Sequence, residues 1–127
     1  MNMKICDKDL GAEITRRIKN LFNAVDSRKS FYEEIDLEGK KYSHWFTFWF
    51  FNDNPNKMVI KHEWEKMDDW GSPIERELFT YSKTRDRFSV WGRHEKYVYN
   101  VVPFQIEKGF KPDRLLVQLD LLTMKYI

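Results

Sequence analysis

Apolar residues between Asp7 and Ser27 recur at steps of three and four: Leu10, Ile14, Ile18, Leu21, Phe22 and Val25. Arg16, Arg17 and Lys19 fall on the other side, so the spacing predicts one amphipathic helix, with Asp7 or Asp9 as its cap. Its apolar stripe is expected to pack on the rest of the fold.

After Ser30 the period drops to two. Phe31 to Leu37 reads as a short strand, and Glu38-Gly39-Lys40 as a tight turn into a second strand, Tyr42 to Asn52. That second run is apolar on both alternations, with Tyr42, Phe46, Phe48 and Phe50 on one and Trp45, Trp49 and Phe51 on the other. A strand of this kind belongs in the middle of a sheet with something over each face. The helix supplies one cover; sheet curvature, a further element or a partner must supply the other. Asn52-Asp53-Asn54-Pro55-Asn56 is a turn by composition. Met58 to Lys66 then alternates cleanly, with Met58, Ile60, His62 and Trp64 against Lys61, Glu63 and Glu65, as a half-exposed strand does.

Glu75 to Ser82 and Arg87 to Gly92 form an expected hairpin across Lys83-Thr84-Arg85-Asp86. Tyr97 to Ile106 is a further strand, which Pro103 confines to an edge or a bulge. In Arg114 to Tyr126, Leu115, Val117, Leu119 and Leu121 alternate against Gln118 and Asp120. The apolar residues spread around a helical wheel, so a strand is expected, although Lys111-Pro112-Asp113 could open a helix. The sum is an α+β fold: an N-terminal amphipathic helix packed on a curved, mostly antiparallel sheet of about six to seven strands. A length of 127 residues fits a single domain, 1–127.

Composition supports a packed core and little else. Five Trp, six Tyr and ten Phe are a heavy aromatic loading for the length. Lys and Arg number 22 against 20 Asp and Glu, a net charge of +2, so no whole-molecule field drives the chain onto nucleic acid or anionic lipid. The lone Cys6 excludes an internal disulfide and fits a reducing compartment. The densest apolar run, Trp45 to Phe51, is far shorter than the about 20 residues a membrane helix needs. The segment Met1 to Ile5 lacks the apolar block of a signal peptide. A cytoplasmic protein without a membrane partner is expected.

Candidate chemistry starts with His44, His62 and His94. None shows metal-ligand spacing, and there is no Cys-x-x-Cys or His-Glu-x-x-His pattern. His44 and His62 could meet across neighbouring strands, but the alternation points Glu63 and Glu65 away from His62. Both histidines read as core or rim. Glycines 11, 39, 71, 92 and 109 are too scattered for a phosphate loop or a dinucleotide fingerprint, and Cys6 has no positioned base. No catalytic set, metal or cofactor is expected.

Charge read by segment is more informative. Glu63, Glu65, Asp68, Asp69, Glu75 and Glu77 stand against Lys66 and Arg76, a local −4, with Trp64, Met67 and Trp70 interleaved. Lys83, Arg85, Arg87, Arg93 and Lys96 stand against Asp86 and Glu95, a local +3, with Phe88 and Trp91 interleaved. An acidic surface carrying aromatics suits docking on a basic cleft, because opposite fields steer encounter and buried aromatics anchor it.

The sequence is therefore read as a non-catalytic protein-binding inhibitor, such as an immunity protein covering the active site of a bacterial toxin or nuclease. Its expected contacts are Glu63, Glu65, Asp68, Asp69, Trp70, Glu75 and Glu77. One alternative is single-stranded nucleic-acid binding by the basic aromatic hairpin 83–99, with Tyr97 and Tyr99 adding stacking surface. Another is a small-ligand-binding protein or enzyme with a cavity in the curved sheet near His44 and Tyr42. An open aromatic sheet face would also allow homodimerisation.

Overall fold

The structure, a computed structural model, describes residues 3–5, 8–26, 29–69, 71, 73–91, 96–99, 105–107 and 112–127. The elements in chain order are β1 (Met3–Ile5), α1 (Lys8–Ala24), β2 (Tyr32–Glu38), β3 (Tyr42–Phe50), β4 (Lys57–Lys66), β5 (Glu75–Ser82), β6 (Arg87–Trp91), β7 (Lys96–Tyr99), β8 (Gln105–Glu107) and α2 (Pro112–Tyr126). Cys6, Asp7, Ser27, Trp70, Gly92, His94, Pro103, Gly109 and Lys111, each given a role in the sequence reading, lie outside the described residues.

Helix α1 buries Ile14, Ile18, Leu21 and Phe22, the stripe set by its three- and four-residue spacing. Glu13 pairs with Arg16 at 2.9 Å and Arg17 at 2.8 Å on its polar side. Strands β2 to β6 run as an antiparallel meander of five, each paired with its sequence neighbour, and β7 adds to the outer edge of β6. The β2–β3 link closes with the Gly39 N–H donating to the Tyr42 carbonyl at 2.8 Å. Between β3 and β4 a 3-10 turn, Phe51–Asp53, carries Asn52 at φ 47°, a left-handed conformation Asn tolerates better than most residues.

Pleating divides the sheet sharply. Ile35, Leu37, Phe46, Phe48, Phe50, Met58, Ile60, Phe79, Tyr81 and Phe88 share one face and one core with α1 and α2. Phe22 of α1 meets Phe50 edge-on at 5.7 Å and Tyr81 at 5.4 Å, so the aromatic loading is spent joining helix to sheet. The other face carries Trp45, Thr47, Trp49, Val59, Leu78 and Thr80, and neither helix shares its packing. Thr47, Val59 and Thr80 on that face are nonetheless buried.

Three expectations need correction. Arg114 to Tyr126 is a helix, not a strand, so the N-terminal helix is not alone; the meander has five strands, β2 to β6, with β7 along its edge. Leu115 and Leu119 are buried, and Leu122 and Tyr126 pack with them at helical steps. Val117, Leu121 and Met124 are 55%, 52% and 68% exposed, and the outward Val117 and Leu121 are what imitated alternation. Pro112 at the start, Asp113 in the first turn and Lys125 in the last match the polarity of a helix. Second, Tyr97 to Ile106 is not one strand: it contributes β7 and β8, with residues 100–104 outside the described set. Third, β8 pairs antiparallel with β1, a strand with no short-range signal, in a separate two-stranded sheet.

Polar ties hold α2 in place. Arg17 of α1 grips both carboxylate oxygens of Asp120 at 3.1 Å. Lys125 reaches Glu33 of β2 at 2.6 Å, Tyr126 donates its hydroxyl to the same carboxylate, and Arg114 donates to the Glu38 carbonyl at 3.3 Å.

Candidate functional site

The histidines meet. Register pairs Phe46 with His62 and His44 with Trp64, which sets His44 and His62 diagonally on the helix-covered face of β3 and β4. Nδ1 of His44 lies 2.9 Å from Nε2 of His62, and the rings stack at 5.2 Å with an 18° tilt. Phe46 stacks on His62 at 4.3 Å and Trp64 leans on it at 4.8 Å. Opposite His62 on β5 stands Glu77, whose carboxylate is 3.9 Å from His62 Nδ1. Burial, reinforced by His62, pushes His44 down to about 3. Burial pushes His62 to about 3 as well, against the small upward pull of Glu63. Both rings are neutral at pH 7, so one imidazole donates its N–H to the bare nitrogen of the other.

Both side chains have no solvent exposure, so no substrate proton reaches them in this conformation. They act as a hydrogen-bonded core pair. Among the described residues no group of three or more His, Cys, Asp and Glu side chains is arranged to hold a metal.

The open face is different. Where β3 begins and β4 ends, a depression of about 220 Å³ lies between Ser43 and Trp45 on one side and Glu65, Lys66, Met67, Asp68 and Asp69 on the other. The Met67 N–H donates to the Lys41 carbonyl at 2.8 Å, fixing the exit of β4 beside the β2–β3 turn. Asp68 then turns the chain with φ 62°, and Asp69 accepts the Gly71 N–H at 3.2 Å. These contacts hold Asp68 and Asp69 out at the rim, both exposed.

The expected acidic set is thus divided. Glu65, Asp68 and Asp69 converge on the depression with Trp45, a residue the charge count passed over because it lies twenty residues upstream. Glu63 shares their face but is engaged by Arg76 at 3.1 Å and Lys61 at 3.3 Å. Glu75 and Glu77 belong to the helix-covered face, Glu75 opposite Trp64 and Glu77 buried beside His62. Trp70 lies outside the described residues.

In the basic hairpin, Lys83, Arg85 and Arg87 are exposed, whereas Phe88 is buried in the core and cannot stack on a base. Asp86 is held low by its bonds from Lys19 and Tyr81. Arg93 lies outside the described residues, as do the side chains of Trp91, Lys96, Tyr97 and Tyr99. The pocket expected near His44 and Tyr42 is where those two rings pack, 6.5 Å apart, with His44 fully enclosed.

No family model, no curated protein and no solved structure matches the chain. Among the described residues no helix is long and apolar enough to cross a membrane.

Proposed function

We propose that the chain is a non-catalytic protein-binding inhibitor, of the kind that neutralises a bacterial toxin or nuclease in the cytoplasm by covering a basic active site. One observation carries this: Glu65, Asp68 and Asp69, against the single cation Lys66, line a depression walled by Trp45 on the sheet face that the helices leave open. Clustered carboxylates supply steering toward a basic partner, and an aromatic wall supplies the anchor. The titratable pair that would suit acid–base catalysis is enclosed in the core, which favours a surface role.

Affinity capture from the native source with the full chain, at low and then high salt, tests the proposal. A single protein held at low salt and released by high salt is expected. The variant Asp68→Lys with Asp69→Lys keeps the fold, at a cost of about 1 kcal/mol for Lys in the left-handed conformation of residue 68, associates more slowly and shows a weaker salt dependence. Recovery of nucleic acid instead, or undiminished capture by the variant, overturns it.

A further inference from the structure

The open sheet face is polarised along its strands. Toward the β2–β3 turn its cross-strand rows hold Glu38 and Glu65, then Asp36, Trp45, Glu63 and Arg76. At the other end one row runs from Tyr32 and Trp49 to Ser89, and the last from Lys57 to Arg87. Neither of these contains a carboxylate among the described residues; the acids begin one row further in, with Glu34. Tyr32 is 66% exposed beside the half-buried Trp49, and Phe51, the residue after β3, is 40% exposed. The Lys57 ammonium stands 4.7 Å from the centre of the Phe51 ring, and that of Lys61 5.9 Å from Trp49. Among the described residues Lys57, Arg85 and Arg87 have no carboxylate partner, and Asp86 beside them is taken up by Lys19 at 2.8 Å and by the Tyr81 hydroxyl.

From this layout we infer that the carboxylate-free end of the face binds single-stranded nucleic acid, laid across the strands from Tyr32 toward Arg87. Bases stack on Tyr32, Trp49 and Phe51, and phosphates meet Lys57, Arg85 and Arg87. Flat rings set among free cations match a chain of bases and phosphates, whereas an acidic peptide offers the rings nothing flat. A duplex keeps its bases stacked on one another, so only an opened strand can use them. The strip crosses β2 to β6, about 19 Å at the usual strand spacing, which is room for a few nucleotides. A base arriving on Phe51 displaces the Lys57 ammonium, whose contact is weak at an exposed site, and leaves that charge beside the neighbouring phosphate. Phe88 of the hairpin is buried and takes no part: β2 and β3 supply the stacking surface, and the hairpin supplies charge. The inference does not rest on the docking role proposed above, whose depression lies at the opposite end of the face.

Fluorescence anisotropy with the full chain and labelled single strands of about 12 nucleotides, one of RNA and one of DNA, tests it. Micromolar binding of at least one strand at low salt is expected, at least about tenfold tighter than binding of the matching duplex; the ratio of the two single-strand affinities tells which sugar the site prefers. Tyr32→Ala with Phe51→Ala weakens binding by at least about tenfold and leaves its salt dependence unchanged, because stacking is lost and no phosphate contact is. Arg85→Glu with Arg87→Glu weakens binding and lowers the slope of log affinity against log salt by about 2, one for each phosphate contact. No binding of either strand by the wild type overturns the inference without recourse to any variant. Equal affinity for the duplex, displacement by polyglutamate as effective as by unlabelled strand, or undiminished binding by an aromatic variant whose fold circular dichroism verifies overturns it as well. In the affinity capture, nucleic acid recovered together with a protein suits both sites, whereas nucleic acid alone overturns the docking role and supports this one.

Discussion

Nδ1 of His44 stands 2.9 Å from Nε2 of His62 in the core, and the two imidazoles are bonded to each other. A neutral ring donates to a neutral ring there, so a proton arriving from solvent has to be accommodated without water.

The pair makes the fold acid-sensitive. Both histidines are pushed down to about 3 from an ordinary 6.5, chiefly by burial. Unfolded chain takes up protons first as pH falls, so the stability they contribute is whole above about 6.5 and is lost progressively toward 3. The expected slope is about 1.4 kcal/mol per pH unit for each histidine. Asp86, held low by Lys19 and Tyr81, and Glu33, where Lys125 and Tyr126 outweigh the upward push of burial, add their losses only in the carboxylate range below. Urea unfolding at steps between pH 7 and 5 isolates the histidines, and a flat profile there would contradict their burial.

Helix α2 predicts a contrast between neighbours. Leu119 is fully buried and Leu121 is 52% exposed, although a strand of the same sequence would put both on one face. Leu119→Ala is expected to cost about 2–5 kcal/mol, and Leu121→Ser to stay within about 0.5 kcal/mol. Equal losses in denaturant titrations would mean that the segment is not docked as a helix.

The turn after β3 rests on one backbone conformation. Asn52 sits at φ 47°, ψ 42°. Asn52→Ala should cost about 1 kcal/mol, because a Cβ without a compensating polar group disfavours the left-handed region. Asn52→Gly should be close to neutral. Melting temperatures of the two variants, taken side by side, decide it.

Phe79 is fully enclosed at the centre of the meander. Phe79→Ala is expected to lose about 3–5 kcal/mol, enough to threaten a domain of this size. Chemical denaturation followed by tryptophan fluorescence reads the loss, and a change below about 1 kcal/mol would place Phe79 outside the core.

What the sequence determined by itself was local. The three- and four-residue steps of Ile14, Ile18, Leu21 and Phe22 specify a helix and the side it buries, and the alternation of Met58 to Trp64 specifies a strand and its two faces. Both follow from the geometry of a short stretch of backbone. What only the tertiary structure decided involves distant partners. His44 and His62 come together because Phe46 is in register with His62, and register depends on the whole sheet. The acidic residues of 63–77 look like one patch when summed, yet pleating and pairing send Glu77 to the core and leave Glu65 with Trp45. β1 finds β8 about a hundred residues away, with nothing in three residues to announce it. α2 hid its own nature, since docking on α1 and β2 buries one apolar side while Val117, Leu121 and Met124 stay in solvent. Periodicity identifies an element only when burial is one-sided, and which side is buried depends on neighbours that the local sequence does not contain.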